Sequence, residues 1–251
     1  MSPRTSKALA VCAFAGSALV LDAADARLVA PRVIEEPEWH YPLEAERDAV
    51  SEGQARAILS IDETGRLTDF LVVDCSHPAF GTSLAEALPA YRFTPARVRN
   101  EPTPTRMPVT FYFQQRGAVI SMTGFESMER RVAGLLQRNS DVSFLCSPAE
   151  LDRPLTAVKV VAPGYPEELR ARGASGEVTI DFFVDGEGRV RLPAADYTAN
   201  PSFGRVATDA LLLWKFEPPT RRGEPVIVHV LQTFRFVPPP AEKGAARGRS
   251  E

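Results

Sequence analysis

Two stretches of the chain alternate apolar and polar residues. From Val178 to Val184 every second residue is valine, isoleucine or phenylalanine, and from Ala55 to Ile61 every second residue is alanine, leucine or isoleucine. This two-residue period is typical of a strand with one buried face. Each stretch ends in a turn closed by a glycine, Gly65 or Gly188, which tolerates a positive φ. The pattern predicts a β-hairpin in each stretch, with the second strand after the turn.

A helix is predicted after each hairpin. Asn200-Pro201 is a start signal, with the asparagine as N-cap and the proline at the first helical position. From Phe203 to Trp214, apolar residues recur at three- and four-residue steps and form one stripe. The same spacing runs from Phe80 to Tyr91, where Pro89 should end the helix about a turn early.

A closing strand ends each stretch, and a short lead begins it. The closing strands are predicted over Pro225 to Val237 and, shorter, over Pro108 to Gln114. Tyr165 to Arg170 should form a brief helix that ends at Gly173, and Tyr41 to Ala45 is its counterpart. The order of elements is therefore the same in both stretches.

The two stretches form an internal repeat, because Gly53 to Arg99 aligns without a gap on Gly176 to Arg222. The shared positions fall on turns and on the apolar stripes. We therefore predict an α+β chain of two modules joined by a helix over Gly124 to Arg138 and an irregular stretch from Asn139 to Pro154. The predicted boundaries are 31–116 for the first module, 117–155 for the connection, 156–238 for the second module and 239–251 for a disordered tail.

The N-terminus is typical of an export signal. Arg4 and Lys7 precede an uncharged apolar run from Ala8 to Leu21, and Ala24 to Ala26 offers small residues for cleavage. The run is shorter than the roughly 20 residues that span a bilayer. We predict that residues 1–26 are removed and that the protein is periplasmic. The alternative is an uncleaved anchor that holds the protein at the inner membrane, facing the periplasm.

Composition and cysteines narrow the class of protein. A hydrophobic fraction of 44% and a charged fraction of 24% are ordinary for a globular chain, and a net charge of −3 gives no field that attracts nucleic acid. Removal of the signal leaves Cys75 and Cys146. In an oxidising compartment these form either a disulfide or two buried thiols, and spacing alone does not decide between them.

No catalytic, metal-binding or cofactor motif is present in the sequence. The three histidines are not spaced as metal ligands, and no nucleophile elbow, P-loop or dinucleotide fingerprint occurs. His229 falls on the outward face of the closing strand, where we expect a solvated side chain. The basic pair Arg221-Arg222 is expected to be a solvated loop. We therefore predict a non-enzymatic protein without cofactor or metal.

The second module resembles the TonB C-terminal domain family. The residues that carry the resemblance are Tyr165-Pro166, Gly173, Gly176, Asp185, Gly188-Arg189-Val190, Ala207, Ala210, Trp214-Lys215-Phe216, Pro218, Gly223 and Pro225-Val226. The first module matches less well. It keeps Tyr41-Pro42, Gly53, Asp62, Gly65, Tyr91-Arg92-Phe93, Pro95-Ala96 and Pro108-Val109. The resemblance implies that each module is a small antiparallel sheet of about three strands packed on one or two helices.

The resemblance also implies a partner. Modules of this family capture a short peptide of an outer-membrane receptor on a sheet edge, so we expect a protein or peptide partner, a TonB-dependent receptor being the candidate, and an accessory role in uptake across the outer membrane. The expected receiving residues are Val226, Ile227, Val228, His229, Val230, Leu231, Gln232 and Thr233. The same strand could instead serve only as the closing strand of the core.

Two other functions stay open at this level. The chain could be an envelope scaffold in which the two modules pack together, edge to edge, and hide both sheet edges. It could also be a membrane-anchored energy transducer if the N-terminal segment is retained. The sequence does not fix the oligomeric state.

Overall fold

The computed structural model describes residues 28–115, 117–122, 142–196 and 200–238. The predicted export signal, the predicted connecting helix over 124–138 and the predicted tail over 239–251 lie outside these residues.

The first module contains nine strands and two α-helices among the described residues. They are β1 (Leu28–Val29), β2 (Val33–Glu35), α1 (Leu43–Arg47), β3 (Glu52–Ile61), β4 (Leu67–Cys75), α2 (Pro78–Ala87), β5 (Arg92–Phe93), β6 (Ala96–Val98), β7 (Glu101–Thr103), β8 (Thr105–Gln114) and β9 (Gly117–Met122). A 3₁₀ turn over Leu88–Ala90 follows α2, so the helix ends before Pro89 as predicted.

The rest of the described chain forms the connection and the second module. Its elements are β10 (Val142–Ser143), β11 (Leu145–Cys146), β12 (Ala157–Lys159), α3 (Glu167–Arg170), β13 (Gly176–Val184), β14 (Val190–Ala195), α4 (Pro201–Leu211), β15 (Lys215–Phe216), β16 (Thr220–Arg221), β17 (Glu224–Pro225) and β18 (Ile227–Phe236). A 3₁₀ turn covers Pro148–Glu150. The stretch 139–154, expected to be irregular, therefore contributes two strands.

The two main sheets share one topology. Their central strands run in the order β4-β3-β8 and β14-β13-β18, all antiparallel. The registers also agree, since Gly53 opposes Phe113 in the first sheet and Gly176 opposes Phe236 in the second. The predicted α+β repeat with about three strands per sheet is confirmed. Short strands added at the edges extend these sheets to five and four strands.

Each core is organised around three aromatic rings, from the lead, the start of the helix and the end of the closing strand. In both cores the helix ring stacks on the closing-strand ring, with centroids 4.7 and 4.3 Å apart, while the lead tyrosine meets the helix ring edge-on at 5.7 and 5.6 Å. The trios are Tyr41, Phe80 and Phe113 in the first module and Tyr165, Phe203 and Phe236 in the second.

The modules pack against each other through the sheet faces that lie opposite their helices. A buried cluster from both modules fills this interface: Ile58, Leu71, Val73, Leu145, Phe183, Leu192 and Ile227. At its border, Arg191 of the second module forms an ion pair with Asp69 and donates to the Phe70 carbonyl oxygen. The modules therefore pack together, as in the scaffold alternative, but not edge to edge, because within the described part of the chain no ladder joins the central strands of the two sheets.

The segment Val142 to Cys146 belongs to both sheets. Its first half pairs with β4 and its second half with β18. Between them, the Phe144 amide donates to the Val73 carbonyl at 3.0 Å, and the Phe144 carbonyl accepts from the Ile227 amide at 2.6 Å. This short crossing links the sheets through the backbone.

Candidate partner-binding edge

The closing strand β18 has one fully paired side. Val228 to Phe236 lie opposite Val184 to Gly176 of β13. On the other side, β11 pairs only with Ile227 and Val228, in parallel. The Ile227 amide bonds to this outer side, and backbone groups alternate in direction along a strand. The outer N–H and C=O groups therefore belong to His229, Leu231, Thr233 and Arg235, and no described strand pairs with them.

The structure separates the predicted receiving residues into two groups. Val226 lies before β18, and Val226, Ile227 and Val228 are buried against β11 and its surroundings, so these three do not line an open edge. His229 to Thr233 lie on the open part, with Leu231 48% exposed. The edge continues to Arg235 and Phe236, which lie within the closing strand predicted over Pro225 to Val237 but outside the eight expected receiving residues. The alternation of apolar residues through Phe236 was the available signal for this extension.

The corresponding edge of the first module is covered. β9 runs antiparallel along β8, from Val109 opposite Met122 to Gln114 opposite Gly117. The first module also has Pro108 where the second has Leu231, since these two residues oppose Ile58 and Asp181 at matching points of the two registers. Proline has no N–H to offer at an outer position. The two closing strands therefore differ in whether a neighbouring strand covers them and in the outer N–H groups that they offer.

The far edge of the second sheet, along β14, is interrupted. The register of β13 and β14 shifts between Asp181 and Phe183, and Leu192 on the bulged strand has a φ of 51°. Pro193 follows and removes one N–H. Bulges and prolines are common means of blunting exposed edges. Of the two long edges of this sheet, only β18 offers a regular run of outer donors and acceptors.

His229 is not the solvated side chain that the sequence predicts. Its Nε2 lies 2.7 Å from Asp181 Oδ1, and its ring lies 5.0 Å from the Phe183 ring. Arg106 of the first module reaches the same carboxylate, with Nη2 2.8 Å from Asp181 Oδ2, and its guanidinium lies over the Phe183 ring. The open edge therefore begins, at His229, beside a charged contact between the two modules.

The two cysteines are free thiols, so the disulfide alternative is not realised in the structure. Cys75 lies in the core of the first module, and Cys146 lies in a separate cluster with Val226 and Val228. Burial raises the pKa of both thiols.

The predicted solvated loop at Arg221-Arg222 is a tight β-hairpin between β16 and β17. The Asp152 carboxylate accepts hydrogen bonds from the amides of Arg222 and Gly223. These bonds lower the pKa of Asp152, the one from Gly223 most.

Within the described ranges, no set of three or more His, Cys, Asp or Glu side chains is grouped so that it could hold a metal ion. No helix in the same ranges has both the length and the apolar composition needed to cross a bilayer.

The chain matches a known family twice. The model of the family described as "Gram-negative bacterial TonB protein C-terminal" matches residues 37–114 and 161–238, together more than half of the chain. Protein TonB of Vibrio cholerae serotype O1 is 28% identical over 90 residues, which make up 36% of this chain and 37% of that protein. The solution NMR structure of the Pseudomonas aeruginosa TonB C-terminal domain is 27% identical, covers 34% of this chain and 87% of its own, and aligns with a TM-score of 0.30.

The chain thus spans little more than a third of the curated relative. On the two family matches, it belongs to the TonB C-terminal family as a tandem of two modules.

Proposed function

We propose that this protein binds an extended segment of a partner protein along the open edge of β18, as an accessory of TonB-dependent uptake in the periplasm. The partner would be a segment of an outer-membrane receptor. The observation that carries the proposal is a run of outer N–H and C=O groups from His229 to Arg235, with which no described strand pairs. The chain that offers this edge belongs to the TonB C-terminal family. An added strand would satisfy these groups by β-augmentation.

The contrast between the modules supports one binding edge per chain. The first module closes its equivalent edge with β9 and has Pro108 in place of a donor, whereas the second has Leu231 there. The first module would then support the sheet of the second through the buried interface and through Arg106. In this arrangement the chain acts by binding and carries no catalytic step.

The test removes one outer donor and leaves the inner ladder intact. In Thr233→Pro the lost N–H faces away from β13, so the inner ladder, which is made by Gln232 and Phe234 on either side, keeps its backbone bonds. The control is Thr233→Val, because both variants lose the hydroxyl that lies 2.9 Å from the Thr179 hydroxyl. Each mature protein is titrated with synthetic plug peptides of a TonB-dependent receptor, by calorimetry.

The proposal predicts saturable binding of one peptide per chain. Thr233→Pro should weaken binding about tenfold or more, the equivalent of one or two hydrogen bonds, while Thr233→Val binds as the wild type does. Melting temperatures confirm that both variants are folded. Equal affinity of the two variants, or no binding by the wild type, would contradict the proposal.

A further inference from the structure

Three positively charged residues lie side by side in the second module, where β12 pairs with β15 next to the start of β14. Lys159 of β12 opposes Lys215 of β15, and Lys215 opposes Arg189 on its other side. Side chains of directly opposed residues lie close together, and like charges there are destabilising. Within the described residues, neither lysine has an ion-pair partner, while Arg189 is paired with Asp185 and Glu187.

The first module contains only part of this row of like charges. There, Glu35 of β2 opposes Arg92 of β5, and Arg92 opposes Arg66. A carboxylate thus occupies the place that Lys159 takes in the second module. The repeat shows that the fold accepts opposite charges at these two opposed positions, so the two lysines are not required by the architecture. Departures from local consistency of this kind are expected at functional sites.

A pocket opens beside the row. It has a volume of about 500 Å³ and is lined by Arg189, Val190, Arg191, Leu212, Trp214 and Lys215. The Trp214 indole is fixed by its Nε1–H, which donates to the Val161 carbonyl at 2.8 Å. The pocket therefore combines a fixed aromatic wall with cationic groups, and Lys215 is exposed.

Exposed aliphatic side chains border the pocket. Leu212 lines the pocket and is 52% exposed, and the neighbouring Leu213 is 54% exposed. Apolar side chains beside cations, here Leu212, Val190 and Trp214, fit a ligand that carries both carboxylates and aliphatic groups.

We propose that this pocket binds an acidic, leucine- or valine-containing segment of a partner protein, with a carboxylate placed between Lys159 and Lys215. A membrane surface fits less well, because Asp185 and Glu187 are paired with Arg189 beside the lysines and would repel a continuous anionic layer. One carboxylate entering beside Lys215 relieves the repulsion between the two lysines. The site is separate from the β18 edge, and the inference does not rest on the proposed function.

The test uses the fluorescence of Trp214, which lines the pocket. The probe is the blocked peptide acetyl-Leu-Glu-Leu-Glu-Leu-amide, and its glutamine analogue is the matched control. We expect a saturable change with the glutamate peptide that weakens with added salt. Lys159→Gln and Lys215→Gln should each weaken binding about tenfold at low salt, and Lys215→Arg should retain it. Calorimetry on the same proteins gives the affinities independently of the signal from Trp39.

Two further measurements decide the assignment. Without ligand, Lys159→Glu should raise the melting temperature by about 1–3 °C, because it creates the arrangement of the first module. Thr233→Pro should bind the glutamate peptide as the wild type does, which separates this site from the β18 edge. Equal binding of the two peptides, unchanged affinity in Lys215→Gln, or sedimentation with phosphatidylglycerol vesicles that depends on Lys215 would each overturn the proposal.

Discussion

Replacement of Phe183 by alanine should uncouple the two modules. The Phe183 side chain is fully buried in the interface cluster and packs against His229 and Arg106. Removal of such a ring costs about 3–5 kcal/mol, because apolar contacts are lost and a cavity is left. A loss of that size is a large part of the roughly 5–15 kcal/mol by which a domain is stable. The loss falls on the contact between modules, since Phe183 lies on the face opposite the helix.

Each module has its own fluorescent reporter for this experiment. Trp39 packs on Phe111 and Phe113 in the first module, and Trp214 packs on Phe234 in the second. Single-tryptophan variants, Trp39→Phe and Trp214→Phe, should unfold in urea at one midpoint while Phe183 is present. With Phe183→Ala the two midpoints should separate.

A matched control separates the loss of a buried side chain from the general effect of placing an alanine in a strand. Leu231 lies on the same face of the neighbouring strand but is about half exposed, so Leu231→Ala should cost under about 1 kcal/mol and leave the midpoints together. The reasoning is refuted if the modules already unfold separately with Phe183 in place, or if Phe183→Ala costs no more than Leu231→Ala.

Three further outcomes follow from single sites. Gly65→Ala and Gly188→Ala should each destabilise by at least about 1 kcal/mol in urea titrations, because φ is positive and a Cβ would lie 2.0 Å from a carbonyl oxygen; a neutral effect at either would contradict the shared turn. Burial opposes ionisation of Asp185, but hydrogen bonds from the turn outweigh it and lower its pKa; its contribution is present above about pH 4 and lost as the pH falls further, so Asp185→Asn should flatten the acid limb of stability against pH. Cys75 and Cys146 should both react with a thiol reagent only on unfolding, whereas a count of zero in denaturant would show a disulfide.

Local pattern was sufficient for the repeated unit. The alternation over Val178 to Val184, the glycine turns and the Asn200-Pro201 start each act within one element. These features produced the hairpins and helices where they were predicted. Because the same pattern occurs in both copies, each copy independently supported the elements predicted for the other.

Relations between modules could not be predicted in the same way. Phe183 breaks the alternation of its strand, and its burial depends on a second sheet that no local period describes. His229 looks solvated along the strand, but its side chain is largely buried because it packs on Phe183 where Arg106 and Asp181 meet. Ile227 is covered at the sheet edge by Leu145 and Cys146, which are distant in the sequence. These two residues form a strand that is too short to give a periodic signal.

The most direct test of the central claim is amide hydrogen exchange, read by NMR, on the mature protein with and without a receptor plug peptide. The account predicts that the peptide slows exchange at Leu231, Thr233 and Arg235, whose N–H groups face outward, and leaves the already paired Gln232 and Phe234 nearly unchanged. Slowed exchange confined to β8, or no alternation along β18, would contradict the claim that this edge receives the partner.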